Sequence, residues 1–254
     1  MSNADRVAIV TGAARGLGAA IARKLATEGH PVVLADVLDK VDETAAAIAA
    51  EGHQARAIHL DVADESAVSR LPDALGSWWP SLGVIVNNAG ISPKINGVRR
   101  ATEDIPLEEW RRVLDVNLTG PFLLSKLAIP QLKKRGWGRI VMMTSQAARG
   151  GGPSTITGSY YGTSKTGLMG FARCLAAELG TFGITVNSVA PGRINSDMVA
   201  GAAPGLNEAF LARIPLKRFG EPEDVAEVVS FLASDAASYL TGTTIDVGGG
   251  SFMP

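Results

Sequence analysis

Residues 6–11, Arg-Val-Ala-Ile-Val-Thr, form a short apolar run that is followed at once by Gly12-Ala-Ala-Arg-Gly16-Leu-Gly18. Helical periodicity then carries through Ala20, Ile21 and Leu25 and stops at Gly29. A buried strand, a glycine turn and a helix, in that order, are the context of a dinucleotide fingerprint. Glycines let the backbone approach a pyrophosphate, and the first turn of the helix offers it unpaired N–H groups. The spacing is Gly-x-x-x-Gly-x-Gly, not the Gly-x-Gly-x-x-Gly form, but the flanks are right.

The alternation continues along the chain. Val32-Val33-Leu34-Ala35 reads as a strand ending in Asp36, followed by a helix at 38–51. A strand at 55–60 ends in Asp61-Val62, ahead of a helix starting near Asp64. Val84-Ile85-Val86 runs into Asn87-Asn88-Ala89-Gly90, and 103–135 is helical in pattern with a break near Pro121. The strand at 138–145 ends in Thr144-Ser145, and a Gly/Pro/Ser/Thr-rich loop at 146–159 leads to a long helix at 160–180. A strand at 184–190 ends at Pro191-Gly192, a helix spans 222–234, and a last strand at 243–247 meets Gly248-Gly249-Gly250. The polar segment 193–220, with a short amphipathic piece near 206–213, reads as a lid. Seven strands alternating with helices predict an α/β fold: a doubly wound parallel sheet covered on both faces, as a single domain over 1–254. Ligands of such sheets sit at the carboxyl ends of the strands, where Gly12, Asp36, Asn88, Ser145 and Pro191 all fall.

Tyr161 and Lys165 are four residues apart on the long helix, so they share a face. A free tyrosine has a pKa of about 10, and a cation beside it favours the phenolate. Lowering that pKa by about two to three units, worth roughly 3–4 kcal/mol, lets Tyr161 exchange a proton with a substrate oxygen near neutrality. Asp36, at the end of the second strand, can accept hydrogen bonds from ribose hydroxyls and would repel a 2′-phosphate, which favours NAD over NADP. Arg15 in the glycine turn argues mildly the other way. Asp61 and Val62 are placed to border an adenine ring, though Asp61 serves equally as a helix cap. Asn117, inside a helical run, needs either solvent or a structural reason.

The 24 basic and 25 acidic residues nearly balance, which gives no argument for nucleic acid or an acidic membrane surface. No apolar run approaches membrane-spanning length, and the polar start leading straight into a strand leaves no room for a signal peptide. The single Cys174 permits no internal disulfide and suits a reducing cytoplasm; its place in a helical run predicts a packed thiol. His30, His53 and His59 show no ligand spacing, and no metal site is expected.

Together, Thr11-Gly12-x-x-x-Gly16-x-Gly18, Asn87-Asn88-Ala89-Gly90, Asn117, Ser145, Tyr161-x-x-x-Lys165 and Pro191-Gly192 resemble, in order and over nearly the full length, the short-chain dehydrogenase/reductase family. Within it the chain is most similar to the 3-oxoacyl-carrier-protein reductase-like group, so an NADPH-dependent 3-oxoacyl reductase is the alternative reading. The resemblance implies a Rossmann domain and an enzyme that moves a hydride between a nicotinamide and a secondary alcohol or ketone. It implies Tyr161 as general acid/base, Lys165 as the group that lowers its pKa and holds the nicotinamide ribose, and Ser145 as hydrogen-bond partner of the substrate oxygen. Asn117 is implied to position a water that links Lys165 to solvent. The implied dinucleotide set adds Leu17, Gly18, Val62, Ala89, Gly90, Gly192, Ile194 and Ser196 to the residues above, and a homotetramer is the implied assembly.

Three features depart from the family pattern. The Ser145–Tyr161 interval is lengthened by Gly150-Gly-Gly-Pro-Ser-Thr, Ser196 stands for a common threonine, and Gly248 stands for a common aspartate. A catalytically silent dinucleotide-binding protein is the reading from another class, opposed by the intact Asn117, Ser145, Tyr161 and Lys165 set. Three cations, Lys94, Arg149 and Arg193, fall in segments that would wall the substrate pocket and point to a compact, anionic substrate.

Overall fold

The computed structural model describes residues 2–95, 97–149, 157–195 and 205–253. The strands are β1 (Val7–Thr11), β2 (Val32–Asp36), β3 (Ala55–His59), β4 (Leu82–Asn87), β5 (Gly138–Met143), β6 (Ile184–Pro191) and β7 (Thr244–Val247). The helices are α1 (Gly16–Thr27), α2 (Lys40–Ala50), α3 (Glu65–Ser69), α4 (Leu71–Leu75), α5 (Leu107–Leu114), α6 (Gly120–Arg135), α7 (Ser159–Leu179), α8 (Leu206–Arg213) and α9 (Pro222–Ala233). The strands pair in the order β3-β2-β1-β4-β5-β6-β7, and every pair is parallel. The chain winds one way from β1 to β3 and the other way from β4 onward. The crevice at that reversal, between the carboxyl ends of β1 and β4, is where the glycine turn lies.

Alternate residues of each strand face opposite layers. Val7 and Ile9 of β1 pack with Leu124 and Leu132 of α6 and Leu168 and Leu179 of α7. Ala8 and Val10 pack with Ile21 and Leu25 of α1, Ile48 of α2 and Val229 of α9. The doubly wound α/β sheet expected from the sequence is therefore present, with its core split between the two faces.

The break expected near Pro121 has a different cause. Residues Asp115–Thr119 form a π-helical turn between α5 and α6. Pro121 starts α6, where a missing N–H costs nothing. The extra residue in that turn presents Asn117 inward, fully buried. Cys174 corrects another expectation: it is exposed, because it falls with Arg173 on the outward arc of α7 between buried Ala172 and Leu175.

His30, entering β2, is buried, and its Nδ1 lies 2.7 Å from the Arg6 carbonyl, to which it donates. Burial holds its pKa below the ordinary value of about 6.5, so the imidazole is kept neutral. The unfolded chain then binds the extra proton first as acid is added, so stability falls as pH drops below about 6.5 toward the depressed folded value. Unfolding midpoints measured from pH 7 to 5 should decline, and His30→Gln should flatten that part of the curve.

Candidate active site

The turns after β1 and β4 are tied together before any ligand is considered. Thr11 Oγ1 accepts the backbone N–H groups of Asn88 and Ala89, each at 3.0 Å. Asn88 Nδ2 donates back to the carbonyls of Thr11 at 2.9 Å and Gly12 at 3.1 Å. This packing explains the glycines. A Cβ on Gly12, whose φ is +66°, would lie 2.8 Å from Ala89 Cα, and one on Gly18 would lie 2.1 Å from the Gly12 carbonyl oxygen. Gly16, at φ +56°, meets nothing within 4 Å, so open space borders the turn at the first residue of α1.

A cleft of about 520 Å³ runs from this turn along the strand ends. On one side Asp36 is held by two backbone donors, Ala14 N–H at 2.9 Å and Leu38 N–H at 3.1 Å, so its carboxylate is fixed at the cleft edge. Asp61 accepts from Ala63 N–H at 3.0 Å and from Arg112 at 2.9 Å. Burial opposes its ionisation, and those two partners nevertheless keep its pKa below the usual carboxylate range. The helix-cap role goes to Asp64, whose side chain accepts Ala67 N–H at 3.1 Å.

At the other end, α7 presents Tyr161 and Lys165 across the end of β5. Lys165 is 3% exposed and donates to the Met143 carbonyl at 2.7 Å. Burial brings its pKa down to about 8. Its Nζ lies 5.7 Å from the Tyr161 ring centroid. Burial raises the Tyr161 pKa, while the Ser145 hydroxyl bonded to the phenol and the positive Arg99 pull it back. This direction is opposite to the one expected from Lys165 alone: burial of the phenol outweighs the cations near it, the ammonium at 5.7 Å and the Arg99 guanidinium at 5.8 Å from its ring centroid. Thr144 directs its hydroxyl into the sheet, to the Val189 carbonyl at 2.8 Å, which leaves Ser145 as the hydroxyl facing Tyr161.

Asn117 reaches the same region from the π turn. Its Oδ1 accepts Ile91 N–H at 2.8 Å, and its Nδ2 donates to the Ile91 carbonyl at 3.0 Å and to Ser164 Oγ at 3.1 Å. Ser164 in turn donates to the Tyr161 carbonyl at 2.8 Å. The buried amide thus joins the loop after β4 to the first turns of α7. A Cβ on Gly90 would lie 3.2 Å from Lys165 Nζ and 3.4 Å from Asn117 Oδ1, so the glycine there leaves room for both.

A family model described as enoyl-(acyl carrier protein) reductase matches residues 12–251. A 3-oxoacyl-[acyl-carrier-protein] reductase of Staphylococcus epidermidis is 41% identical over 251 residues, 98% of this chain and 100% of that one. A cis-4-hydroxycyclohexanecarboxylate dehydrogenase of Sinomonas cyclohexanicum is 39% identical over 247 residues, 97% of this chain and 96% of that one. Among solved structures, a 3-oxoacyl-[acyl-carrier protein] reductase from Brucella melitensis with bound NAD superposes with a TM-score of 0.91. That protein is 37% identical, with 98% of this chain and 92% of the other covered. The chain belongs to the short-chain dehydrogenase/reductase family.

Its membership makes it an oxidoreductase, and the cleft can be compared with the set that the family resemblance implied. Gly12, Arg15, Gly16, Leu17, Gly18, Asp36, Asp61, Val62, Asn88, Ala89, Gly90, Tyr161, Lys165, Pro191, Gly192 and Ile194 all line it, as does Ser145. Ser196 and the inserted 150–155 lie outside the described residues. Asn117 is not among the lining residues; it acts on the cleft through Ile91 and Ser164. The residues present fit a dinucleotide, with a glycine turn that a side chain would fill and open space at the start of α1.

Sequence reasoning missed Val37 and Leu38, which also line the cleft while remaining 59% and 42% exposed. Two exposed apolar residues directly after Asp36 were the available signal. Gly248 is explained by Gln146: a Cβ at 248 would lie 2.2 Å from Gln146 Nε2, so an aspartate would have to displace that amide. Ser251 Oγ donates to Gln146 Oε1 at 2.7 Å and holds it there. Arg149 does not serve the pocket as expected. It is paired with Asp246 of β7 at 2.9 Å and stacks on Phe252. The guanidinium near Tyr161 is that of Arg99, 5.8 Å from the ring centroid.

Proposed function

We propose that this family member transfers a hydride between NAD(H) and a secondary alcohol or ketone, with Tyr161 as general acid/base. The observation that carries the reading is the Ser145–Tyr161–Lys165 group at one end of the cleft whose other end is the glycine turn and Asp36. The chemistry a bound nicotinamide supplies is hydride exchange with the substrate carbon. Tyr161 gives the proton to a ketone oxygen or takes it from an alcohol, and Ser145 hydrogen-bonds the same oxygen. Lys165 holds the nicotinamide ribose and adds positive charge beside the phenol. Asn117 holds the Ile91 loop and α7 in register, and orders the proton path from Lys165.

Gly12, Gly16 and Gly18 would hold the pyrophosphate, Asp36 the adenosine ribose, and Asp61 and Val62 the adenine side. Asp36 supports NAD over NADP, since its fixed carboxylate would face a 2′-phosphate at partial hydration. The NAD-bound relative is consistent with this. The alternative, an NADPH-dependent 3-oxoacyl reductase, draws on Arg15, which also lines the cleft, and on the names of the reductase relatives. The dehydrogenase relative is named for a ring secondary alcohol, which suits the substrate class proposed. The same reading takes 1–254 as one dinucleotide-binding and catalytic domain with a substrate lid near 193–220, acting as a cytoplasmic homotetramer. Among the described residues no helix is long and apolar enough to cross a membrane.

Following nicotinamide absorbance during a screen of secondary alcohols and ketones with both dinucleotides tests the reading. Wild-type kcat/KM should favour NAD(H). Asp36→Ala should raise NADP(H) use relative to NAD(H) by at least about tenfold, the equivalent of about 1.4 kcal/mol. A wild-type preference for NADPH would overturn the cofactor assignment.

A further inference from the structure

We infer that Arg112 is a dinucleotide-positioning residue: by holding Asp61 from the α5 side, it fixes the carboxylate that selects a 6-amino purine at the adenosine end of the cleft. The inference rests on the dinucleotide reading above and deepens it at that end.

Arg112 stands at no strand end, yet it lines the cleft together with Leu60, Asp61, Val62 and Val116. It lies in the last turn of α5, where the negative end of the helix favours a cation. That accounts for its charge and not for its reach. Its Nη2 donates to Asp61 Oδ2 at 2.9 Å, a partner 51 residues away. The approach is built into the backbone. A Cβ on Gly120, the first residue of α6, would lie 2.8 Å from Val62 Cγ2, so a glycine there lets the helical layer close on the end of β3.

Capping does not explain why Asp61 is held twice, since Asp64 caps α3 through Ala67 N–H at 3.1 Å. Asp61 Oδ1 accepts Ala63 N–H at 3.0 Å and Oδ2 accepts Arg112, so one oxygen is pinned by the loop and the other by α5. The same two donors keep the carboxylate ionised against the cost of burial. An ionised carboxylate accepts at about four lone-pair positions, of which these donors take two. The 6-amino group of adenine can donate to the others, in a charge-assisted bond. A 6-oxo purine presents an acceptor oxygen there instead, which the carboxylate repels. As a stabilising pair the two side chains contribute little, being 36% and 50% exposed. What Arg112 fixes is orientation: held by Ala63 alone, the carboxylate can turn toward water.

Calorimetric titration tests this without any turnover. Wild type should bind NAD at least about tenfold more tightly than nicotinamide hypoxanthine dinucleotide, whose purine carries a 6-oxo group in place of the 6-amino group. Arg112→Met should bring that ratio toward one by weakening NAD while leaving the 6-oxo dinucleotide nearly unchanged. Asp61→Ala should do the same. The double variant should bind NAD no more weakly than Asp61→Ala alone, because the arginine acts through the carboxylate. A wild type that does not distinguish the two dinucleotides, a preference that survives Arg112→Met, or losses that add in the double variant would each overturn the inference and leave the dinucleotide reading standing. Failure of wild type to bind either dinucleotide overturns both. A preference that depends on Arg112, in a protein that turns over no alcohol or ketone, keeps the inference and overturns the oxidoreductase reading alone.

Discussion

Lys165→Met should abolish turnover while leaving the ligand-free protein at least as stable as wild type. The two effects come from one buried ammonium. Its pKa is about 8 in the fold, against 10.5 for an unperturbed lysine. The folded group therefore holds its proton less tightly than the unfolded one, and stability rises with pH between those values. At neutral pH the charge costs about 3 kcal/mol. Methionine removes that cost and fills much of the same volume. The Met143 carbonyl loses its donor, which takes back roughly 1–2 kcal/mol. The midpoint of thermal unfolding should stay level or rise by a few degrees, since about 1 kcal/mol corresponds to about 2–4 °C at this size. Turnover should fall by at least about a hundredfold, because the variant lacks the cation beside the phenol. Calorimetry at pH 7, with activity assayed on the same samples, checks both halves. A loss of several degrees would show that Lys165 is part of the folding core, and retained turnover would remove it from the site.

The strand ends were legible in the sequence because each is marked by a local break in pattern. Gly12, Asp36, Asn88, Ser145 and Pro191 each terminate an apolar run, and a parallel sheet gathers such termini at one edge. Helical spacing put Tyr161 and Lys165 on one face, a weak sign alone that the strand-end motifs around it strengthened. Their electrostatics were not legible. Whether an ammonium lowers a phenol's pKa depends on which carbonyl it meets and how deeply both are buried, and the Met143 carbonyl belongs to a strand 22 residues away. The cations show the same limit. Arg149 was expected, with Arg193, in a segment that walls the pocket, but Asp246, 97 residues further along, captures it and no pattern announces that. Arg99 carried no signal of its own. Its place follows from the hold of Asn117 on Ile91 and from the gap that Gly158 leaves, both tertiary facts. Asn117 was flagged for the right reason, as an asparagine that a helix interior does not favour. The π turn that accommodates it has no comparable mark in the sequence.

The largest single effect should come from Tyr161→Phe. The substitution keeps the ring against α7 and removes only the phenolic oxygen, so the proton route is lost with little change in shape. A positioned acid or base contributes about 10²–10⁴-fold, and turnover should fall by that much or more. Dinucleotide affinity should change by no more than a few-fold, since the glycine turn and Asp36 lie at the other end of the cleft. Tyr160→Phe is the matched control. Tyr160 is fully buried on the next arc of the helix, and its hydroxyl donates to the Pro93 carbonyl at 2.9 Å. Losing that bond should cost about 1 kcal/mol of stability and leave the chemistry in place. The decisive measurement is rapid mixing of NAD-saturated protein with the best secondary alcohol from the screen, read at the nicotinamide absorbance band. Wild type and Tyr160→Phe should both generate reduced nicotinamide, while Tyr161→Phe, with NAD binding confirmed by calorimetry, stays flat. Reduction at the wild-type rate by Tyr161→Phe, or its loss in Tyr160→Phe alone, would contradict the assignment of the acid/base.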